Sequence, residues 1–527
     1  MTLQTFKWFC LVAAIVACNG QSTRTTDASA NDTIAAEDTI PLEQLFLPDT
    51  CYASAEALTY VIDDADSLPA PLTDLDDRYE KANGILAFRK NLRRNADFGG
   101  RVKGTPTEIE IAWTFTTAYD TTHTSFGQWG GGTGWTGQPL YMHWSDRQMK
   151  AFREAGGKGF TADFGPEEIY VSSLCGQGYF INYQTGKPSR EPLDLGNVVK
   201  GTGSIDPEYY NLYVGQGVPR EPGPFGCQAF DLLKNERTFF FGRDPKAGRG
   251  WNAFDSSPIV AGGYLFWAGE NGSLYKYRRS QGQLHRVSVL RYRVNGAVPG
   301  IESSICVYKN YGFFSDNRGN IIGVNLNTMR PVWRYDNYDD SDATMVCREE
   351  NGTPYLYTAC EVDRQGKAGQ SHFVKLSALT GERVWEQLIA CQRLELPEKT
   401  LDGGMYASPL LGGGDCANLL FAHVCRNKAA RSVGELVAFS TQTGKIVYTV
   451  PYGQFAWSSP IPFYNEKNEM FVFTGDASGY LRIIRGKTGE VLCKKLIGYN
   501  FESSPIAIGN TAVVGCRGTN IYKFVIK

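Results

Sequence analysis

From about residue 107 the chain reads as short runs in which apolar and polar positions alternate, broken by Gly, Asp, Asn and Thr. Alternation with a period of two marks half-buried strands, and Gly with Asp or Asn marks tight turns that need positive φ. One unit shows the pattern in full. Phe455-Ala456-Trp457-Ser458-Ser459-Pro460-Ile461 leads into the run Met470–Thr474, then Gly475-Asp476-Ala477-Ser478-Gly479, the run Tyr480–Ile484, the turn Lys487-Thr488-Gly489-Glu490 and the run Val491–Cys493. This predicts four antiparallel strands per unit.

The units repeat. Their opening mark is clear at Ser256-Ser257-Pro258, Ser303-Ser304-Ile305, Ala407-Ser408-Pro409, Ser458-Ser459-Pro460 and Ser503-Ser504-Pro505. It is degenerate at Gly137-Gln138-Pro139, Ile205-Asp206-Pro207 and Ala343-Thr344-Met345. The mean spacing is about 52 residues, with wide first and fifth units. Small residues suit a crowded inner strand near an axis, and Pro can open a strand but not sit in its middle. A closing mark places an aromatic five residues after a turn Thr: Trp333 after Thr328, Trp385 after Thr380, Tyr448 after Thr443. Such residues can wedge between neighbouring sheets. The last unit has three strands only, while an orphan strand carrying Trp113 stands before the first. Pairing the two closes a ring and leaves few edges. The expected fold is all-β: an eight-bladed β-propeller of four-stranded antiparallel blades over residues 107–527, closed by an N-terminal strand on the C-terminal blade.

The repeats Leu376-Ser377-Ala378-Leu379-Thr380-Gly381-Glu382-Arg383-Val384-Trp385 and Val437-Ala438-Phe439-Ser440-Thr441-Gln442-Thr443-Gly444 approximate the mark Ala-x-Asp-x-x-Thr-Gly-x-x-x-Trp. Upstream, Phe88-Arg89-Lys90-Asn91-Leu92-Arg93-Arg94-Asn95 is similar to a Phe-Arg-Gly-Asp-x-x-Arg-x-Gly stretch. On these motifs, residues 84–527 resemble the pyrroloquinoline-quinone (PQQ)-repeat β-propellers. That family includes quinoprotein dehydrogenases and the propeller lipoprotein of the outer-membrane β-barrel assembly machine. The resemblance implies the fold and leaves the activity open. In the enzymes of the family the quinone sits on a tryptophan floor under a ring of two adjacent, disulfide-linked cysteines. This chain has no adjacent Cys pair, no Cys-x-x-Cys-His for haem and no readable Asn/Glu calcium context. No cofactor is expected, PQQ included.

The N-terminus changes the picture of where the fold works. Trp8–Ala17 is apolar and Ile15-Val16-Ala17-Cys18 resembles a bacterial lipobox, which implies a signal peptide over 1–17 and lipid on Cys18. Residues 18–40 read as a flexible tether and 41–106 as an acidic strap or cap. Asn19 in place of Asp makes outer-membrane attachment facing the periplasm the default. The chain of 527 residues is nearly neutral at −2. Residues 19–82 nevertheless carry −11 and residues 83–527 carry +8. The basic residues are scattered among strands, so nucleic acid is not an expected partner. Thirteen cysteines less Cys10 and Cys18 leave eleven. Cys347 with Cys360, and Cys416 with Cys425, flank turns and are disulfide candidates; buried free thiols are the alternative.

Motifs for chemistry are few. His123, His143, His285, His372 and His423 fall in different units without metal-ligand spacing, and no metal site is expected. Gly486-Lys487-Thr488 is a repeat turn, because Leu481 stands where a phosphate loop needs Gly. Gly130–Gly134 reads as a flexible loop. One constellation stands out: three residues before the third position of each opening mark stand Thr136, Ser204, Asp255, Glu302, Asp342, Tyr406, Trp457 and Glu502. In a propeller these ring one axial mouth, where carboxylates and aromatics suit a cation, an amine or a peptide. The favoured function is a non-catalytic, lipid-anchored envelope scaffold for protein, peptide or glycan partners, as a monomer or part of a complex. The alternative is a quinoprotein-like oxidoreductase or small-ligand sensor with its site at the axis.

Overall fold

The computed structural model describes residues 40–64, 70–135, 137–220, 223–396, 400–428 and 431–527. The segments expected as signal peptide and tether, up to residue 39 and including Cys18, lie outside the described residues, as does Thr136. The chain divides into Met1–Leu45 and Phe46–Lys527. In the first unit the described part contains one helical turn, Leu42–Leu45.

The second unit is nearly all-β and antiparallel, as in a β-propeller. Among the described residues, eight sheets have four or more strands. In chain order they span 140–194, 204–241, 259–294, 306–336, 346–392, 410–452, 461–496 and 506–526, and are numbered 1 to 8 in that order. Sheet 8 supplies three main strands, and Ile109–Thr116 lies along its last one from Ile109↔Ile526 to Thr116↔Asn520. The orphan strand therefore pairs where the repeat pattern places it.

Two side-chain devices join sheet to sheet. The first is the wedge aromatic. Trp333 of sheet 4 lies against Gly381 of sheet 5, Trp385 against Gly444 of sheet 6, Tyr448 against Gly489 of sheet 7, and Trp113 against Gly186 of sheet 1. Each indole donates to a carbonyl of that neighbour, at 3.1 Å for Trp333 to Ala378, 2.9 Å for Trp385 to Thr441 and 2.9 Å for Trp113 to Tyr183. The register slips by one residue beside Trp333, Trp385, Tyr448 and Trp113. Such a bulge re-aims a side chain out of its own sheet. In sheet 7 the position holds Cys493.

The second device is a belt of hydroxyls at the opening marks. The backbone N–H of Ser257 donates to Ser304 Oγ (2.8 Å), Ser304 to Thr344 Oγ1 (2.9 Å), Ser408 to Ser459 Oγ (3.1 Å) and Ser459 to Ser504 Oγ (3.0 Å). Gln138 N–H donates in the same way to Thr202 Oγ1 at 2.9 Å. This corrects the reading of the second mark. The residue equivalent to the middle serine is Thr202, so the mark is Gly201-Thr202-Gly203 and not Ile205-Asp206-Pro207. Pro207 misled because five of the other seven marks carry Pro at the third position, whereas the device depends on a hydroxyl one residue earlier.

Residues 46–106 are woven through the sheets. Leu58–Asp64 adds a fifth strand to sheet 3, running from Leu58↔Val294 to Asp64↔Ser288. Farther on, the chain bonds in turn to Ile205, Val307, Cys347, Gly509 and Tyr464 through Leu86, Leu92, Arg93, Arg101 and Val102. Arg89 and Arg94 are fully buried. Their guanidiniums donate to carbonyls of the opening marks: Arg89 to Pro460 (2.8 Å) and Pro409 (3.2 Å), Arg94 to Ile305 (2.8 Å) and Ser257 (3.2 Å). Buried carbonyls need donors, and these two side chains supply them across four sheets. Burial lowers both guanidiniums, to about 10.

The wide first unit holds the helix Asp146–Glu154, started by a capping box of Ser145 and Gln148. Its Phe152 packs against Phe160, Phe164 and the guanidinium of buried Arg190, which pairs with Glu168 at 2.6 Å.

Candidate functional site

The belt fixes which residues share one level. Three before the third position of each mark stand Lys200, Asp255, Glu302, Asp342, Tyr406, Trp457 and Glu502. Lys200 thus takes the place assigned to Ser204. Ser204 lies inside a strand of sheet 2, fully buried, with its hydroxyl 2.7 Å from Tyr79 Oη.

The structure brings most of this set together. Lys200 Nζ pairs with Asp255, and its ammonium lies 5.5 Å from the Trp135 ring centroid. Carboxylate oxygens of Asp255, Glu270 and Glu302 lie within 4.8 Å of one another. A second trio, Asp340, Asp342 and Glu361, meets the same limit. Tyr406 follows beside Glu361, and its ring centroid is 4.9 Å from that of Trp457. Phe455 also packs against Trp457, with ring centroids 4.6 Å apart. Glu502 stands apart from the acids: it accepts from Asn500 Nδ2 (2.7 Å) and pairs with Arg517 (3.2 Å).

The electrostatics follow from burial and like charge. Burial, then the charges of Glu302 and Asp255, raise Glu270 well above the ordinary glutamate value. Burial raises Glu302 too, although Lys200 works against it. Asp340, Asp342 and Glu361 are all raised well, first by burial and then by one another or by Glu302. Burial alone would lower Lys200, but the charges of Asp255, Glu302 and Glu270 outweigh it and hold the ammonium above the usual lysine value. The face therefore gathers six acids around one lysine, and burial and crowding favour protons on those acids unless a positive charge joins them.

Glu270, Asp340, Glu361 and Lys200 escaped the sequence reading. Glu270 follows the second strand of sheet 3, and Glu361 opens a two-residue strand after the second strand of sheet 5. Neither position belongs to the opening mark. The hydroxyl at Thr202 was the signal that could have found Lys200.

The cysteine pairs are corrected. Cys347, Cys360, Cys416 and Cys425 are free, buried thiols. Cys347 sits opposite Leu356, so Cys360 lies beyond the end of the partner strand. Cys416 is in a short 3-10 turn, and Cys425 ends the strand Leu419–Cys425, about 20 Å long at the usual rise. Cys347 instead adjoins Cys306 of sheet 4, and both bond to the Arg93 carbonyl. The glycines at 130–132 end the strand Gly127–Gly132, which pairs with Arg517–Gly518, so this stretch is not a free loop. His423 is buried with Nε2 2.8 Å from Thr474 Oγ1, as a core histidine.

No protein-family model matches the chain, and no curated protein matches it. Solved structures do. A quinohemoprotein alcohol dehydrogenase from Pseudomonas putida HK5 aligns with a TM-score of 0.59 at 12% identity, over 87% of this chain and 83% of that one. The quinohemoprotein alcohol dehydrogenase of Comamonas testosteroni gives 0.60 at 12% identity, over 86% and 82%. BamB from Moraxella catarrhalis gives 0.45 at 13% identity, over 70% of this chain and 95% of that one, a score on which no argument rests. At such identities the likeness is one of fold, and it agrees with the β-propeller-like set of antiparallel sheets.

Proposed function

We propose that the eight sheets are the blades of one closed propeller, and that the protein is a non-catalytic, lipid-anchored scaffold of the cell envelope. It holds a cationic segment of a partner protein against the carboxylate-and-aromatic face. One observation carries this reading. Asp255, Glu302, Asp342, Tyr406 and Trp457 come from the openings of five different sheets, yet each contacts or electrostatically couples to the next or to its immediate companions. Carboxylates beside packed aromatics suit lysine and arginine side chains, through charge and cation–π attraction. Among the described residues no helix is long and apolar enough to cross a membrane; the lipobox at Cys18 supports attachment by lipid.

A photo-crosslinking amino acid in place of Trp457, in the full chain in intact envelopes, tests the reading. The expected result is a discrete crosslinked polypeptide that is lost when Asp255→Asn and Glu302→Gln are combined. Crosslinks that persist unchanged in that double variant would refute it.

The likeness to the two dehydrogenases raises a second reading, a quinoprotein-like oxidoreductase or small-ligand sensor at the same axis. The quinone is a tricarboxylate. Here it would meet Asp255, Glu270, Glu302, Asp340, Asp342 and Glu361, with Lys200 already paired to Asp255. Like charge in a buried setting is costly. The residues present do not fit the quinone, and no redox step is derived from them.

A further inference from the structure

Large apolar side chains left in water mark contact surfaces where they gather on one face. Among the described residues, the aromatic side chains more than half exposed are Tyr119 (56%), Phe126 (54%), Tyr338 (56%) and Tyr499 (79%). All four stand on one kind of segment, the connection from the last strand of one sheet to the opening mark of the next. Tyr119 and Phe126 lie between Ile109–Thr116 and sheet 1, Tyr338 between sheets 4 and 5, and Tyr499 between sheets 7 and 8. The residues of the candidate site stand on the same connections, Asp342 four residues after Tyr338 and Glu502 three after Tyr499. The exposed rings therefore share the face of the carboxylates and Trp457.

Each ring has a fixed seat. Tyr119 lies against Gly130, where an added Cβ would stand 2.8 Å from the ring. Phe126 packs on Trp251 with centroids 5.1 Å apart, and Trp251 belongs to the connection from sheet 2 to sheet 3. Tyr338 stacks on His372 at 4.1 Å, and Glu386 holds that imidazole at 2.7 Å. The Tyr338 backbone has φ of +71°, a left-handed conformation that is unfavourable for tyrosine, and its N–H donates to Asp336 at 3.1 Å. The N–H of Tyr499 donates to Cys516 Sγ at 3.2 Å. Backbone strain of the Tyr338 kind is kept where a site needs it. Rings held in place before contact lose little freedom on binding.

We propose that these four rings are the anchors of a protein-docking surface, and that the partner is a folded domain with a basic patch, seated across the whole face. Phe126 reaches the connection between sheets 2 and 3, Tyr338 belongs to that between sheets 4 and 5, and Tyr499 to that between sheets 7 and 8. An extended segment crosses such a face along one line, whereas touching all three calls for a broad surface. A half-exposed tyrosine or phenylalanine leaves about 100 Å² to cover. The four rings thus supply roughly half of the ~800 Å² that one side of a standard interface buries. Tyrosines are favoured anchors of such interfaces, and the acids among them select a basic surface. A sugar chain also stacks on aromatic rings, but these rings sit on separate connections and share no single ring-sized seat. The inference deepens the scaffold reading and rests on it: the cationic segment becomes part of a folded surface.

The test places an aromatic photo-crosslinking amino acid at Phe126, Tyr338 or Tyr499, one at a time, in the full chain in intact envelopes. Peptide mass spectrometry identifies each adduct. The expected result is one polypeptide captured at all three positions and at Trp457, through residues on separate segments of that partner. Tyr338→Ala with Tyr499→Ala should lower capture at Trp457 at least about fivefold. Tyr338→Phe with Tyr499→Phe keeps both rings and should leave capture within about twofold of the parent chain. Both side chains are exposed, so an unchanged melting temperature separates lost docking from lost folding. Different polypeptides at the three positions, crosslinks confined to one short segment of the partner, adducts to glycan alone, or capture unchanged by the alanine pair would each overturn the surface. Capture at Trp457 with silence at the three anchors fails this inference alone. One polypeptide captured at the anchors with silence at Trp457 fails the cationic-segment reading alone, and silence everywhere fails both.

Discussion

His423 shows how far a single side chain can be pushed by its surroundings. It lies in the core between Thr474 and Tyr452, and burial lowers its pKa to about 3, with Arg482 nearby acting in the same direction. The unfolded chain binds the proton near 6.5, so between pH 6.5 and 3 the unfolded state holds more protons than the folded one. Stability is therefore lost as pH falls through that window, by on the order of 2 kcal/mol at pH 5. Denaturant melts of wild type and His423→Gln at pH 7 and 5 check this: the wild type should lose more on acidification, and equal losses would show that the imidazole is not buried neutral. At this scale the sequence was informative where a residue type answers a local need. The serines of the opening marks follow from crowding, and the hydroxyl belt explains them. It was silent on Glu270 and Glu361, because a lone acid after a strand has no signature until the fold sets it beside others.

The wedge and the turn beneath it act as one element. Gly444 has φ of +72°, and a Cβ there would stand 2.6 Å from the Trp385 ring. Gly444→Ala combines an unfavourable backbone with a clash and should cost more than about 1 kcal/mol. Trp385→Ala opens the same contact from the other side and should cost about 3–5 kcal/mol. Because both act on one contact, the double variant should cost clearly less than the sum of the two, and strict additivity would show that they do not share it. Thermal or denaturant unfolding of the four chains gives the cycle. The Thr-Gly turn and the aromatic five residues from Thr380 or Thr443 made this element legible from the sequence. The bulge that turns the ring toward its neighbour was not, since it is a matter of register between strands.

For the whole molecule, these joints link sheets 1 and 2, run from sheet 3 to sheet 8, and reach sheet 1 through Trp113 against Gly186, with Ile109–Thr116 along Asn520–Ile526. Removing Ile109–Thr116 from the chain bares the last strand of sheet 8 and uncovers Gly186. Hydrogen exchange should then rise in sheets 8 and 1 before the rest, and the chain should associate through the bared edge. Uniform exchange across the sheets would mean that this strand does not lock the structure. Net charge proved a poor guide at this scale: residues 83–527 carry +8, yet six buried or half-buried acids gather on one face. Totals say nothing of placement. Residues 46–106 were equally illegible, because they bond to sheets far apart in sequence rather than to one another.

The central claim is that this face binds a partner and does not house a quinone. Native mass spectrometry of the full chain, extracted from the envelope of its own host, tests it most directly. The account predicts the chain with a co-isolated polypeptide and without a stoichiometric quinone mass. A quinone retained one to one with the chain would contradict it and make the acidic face part of a redox site.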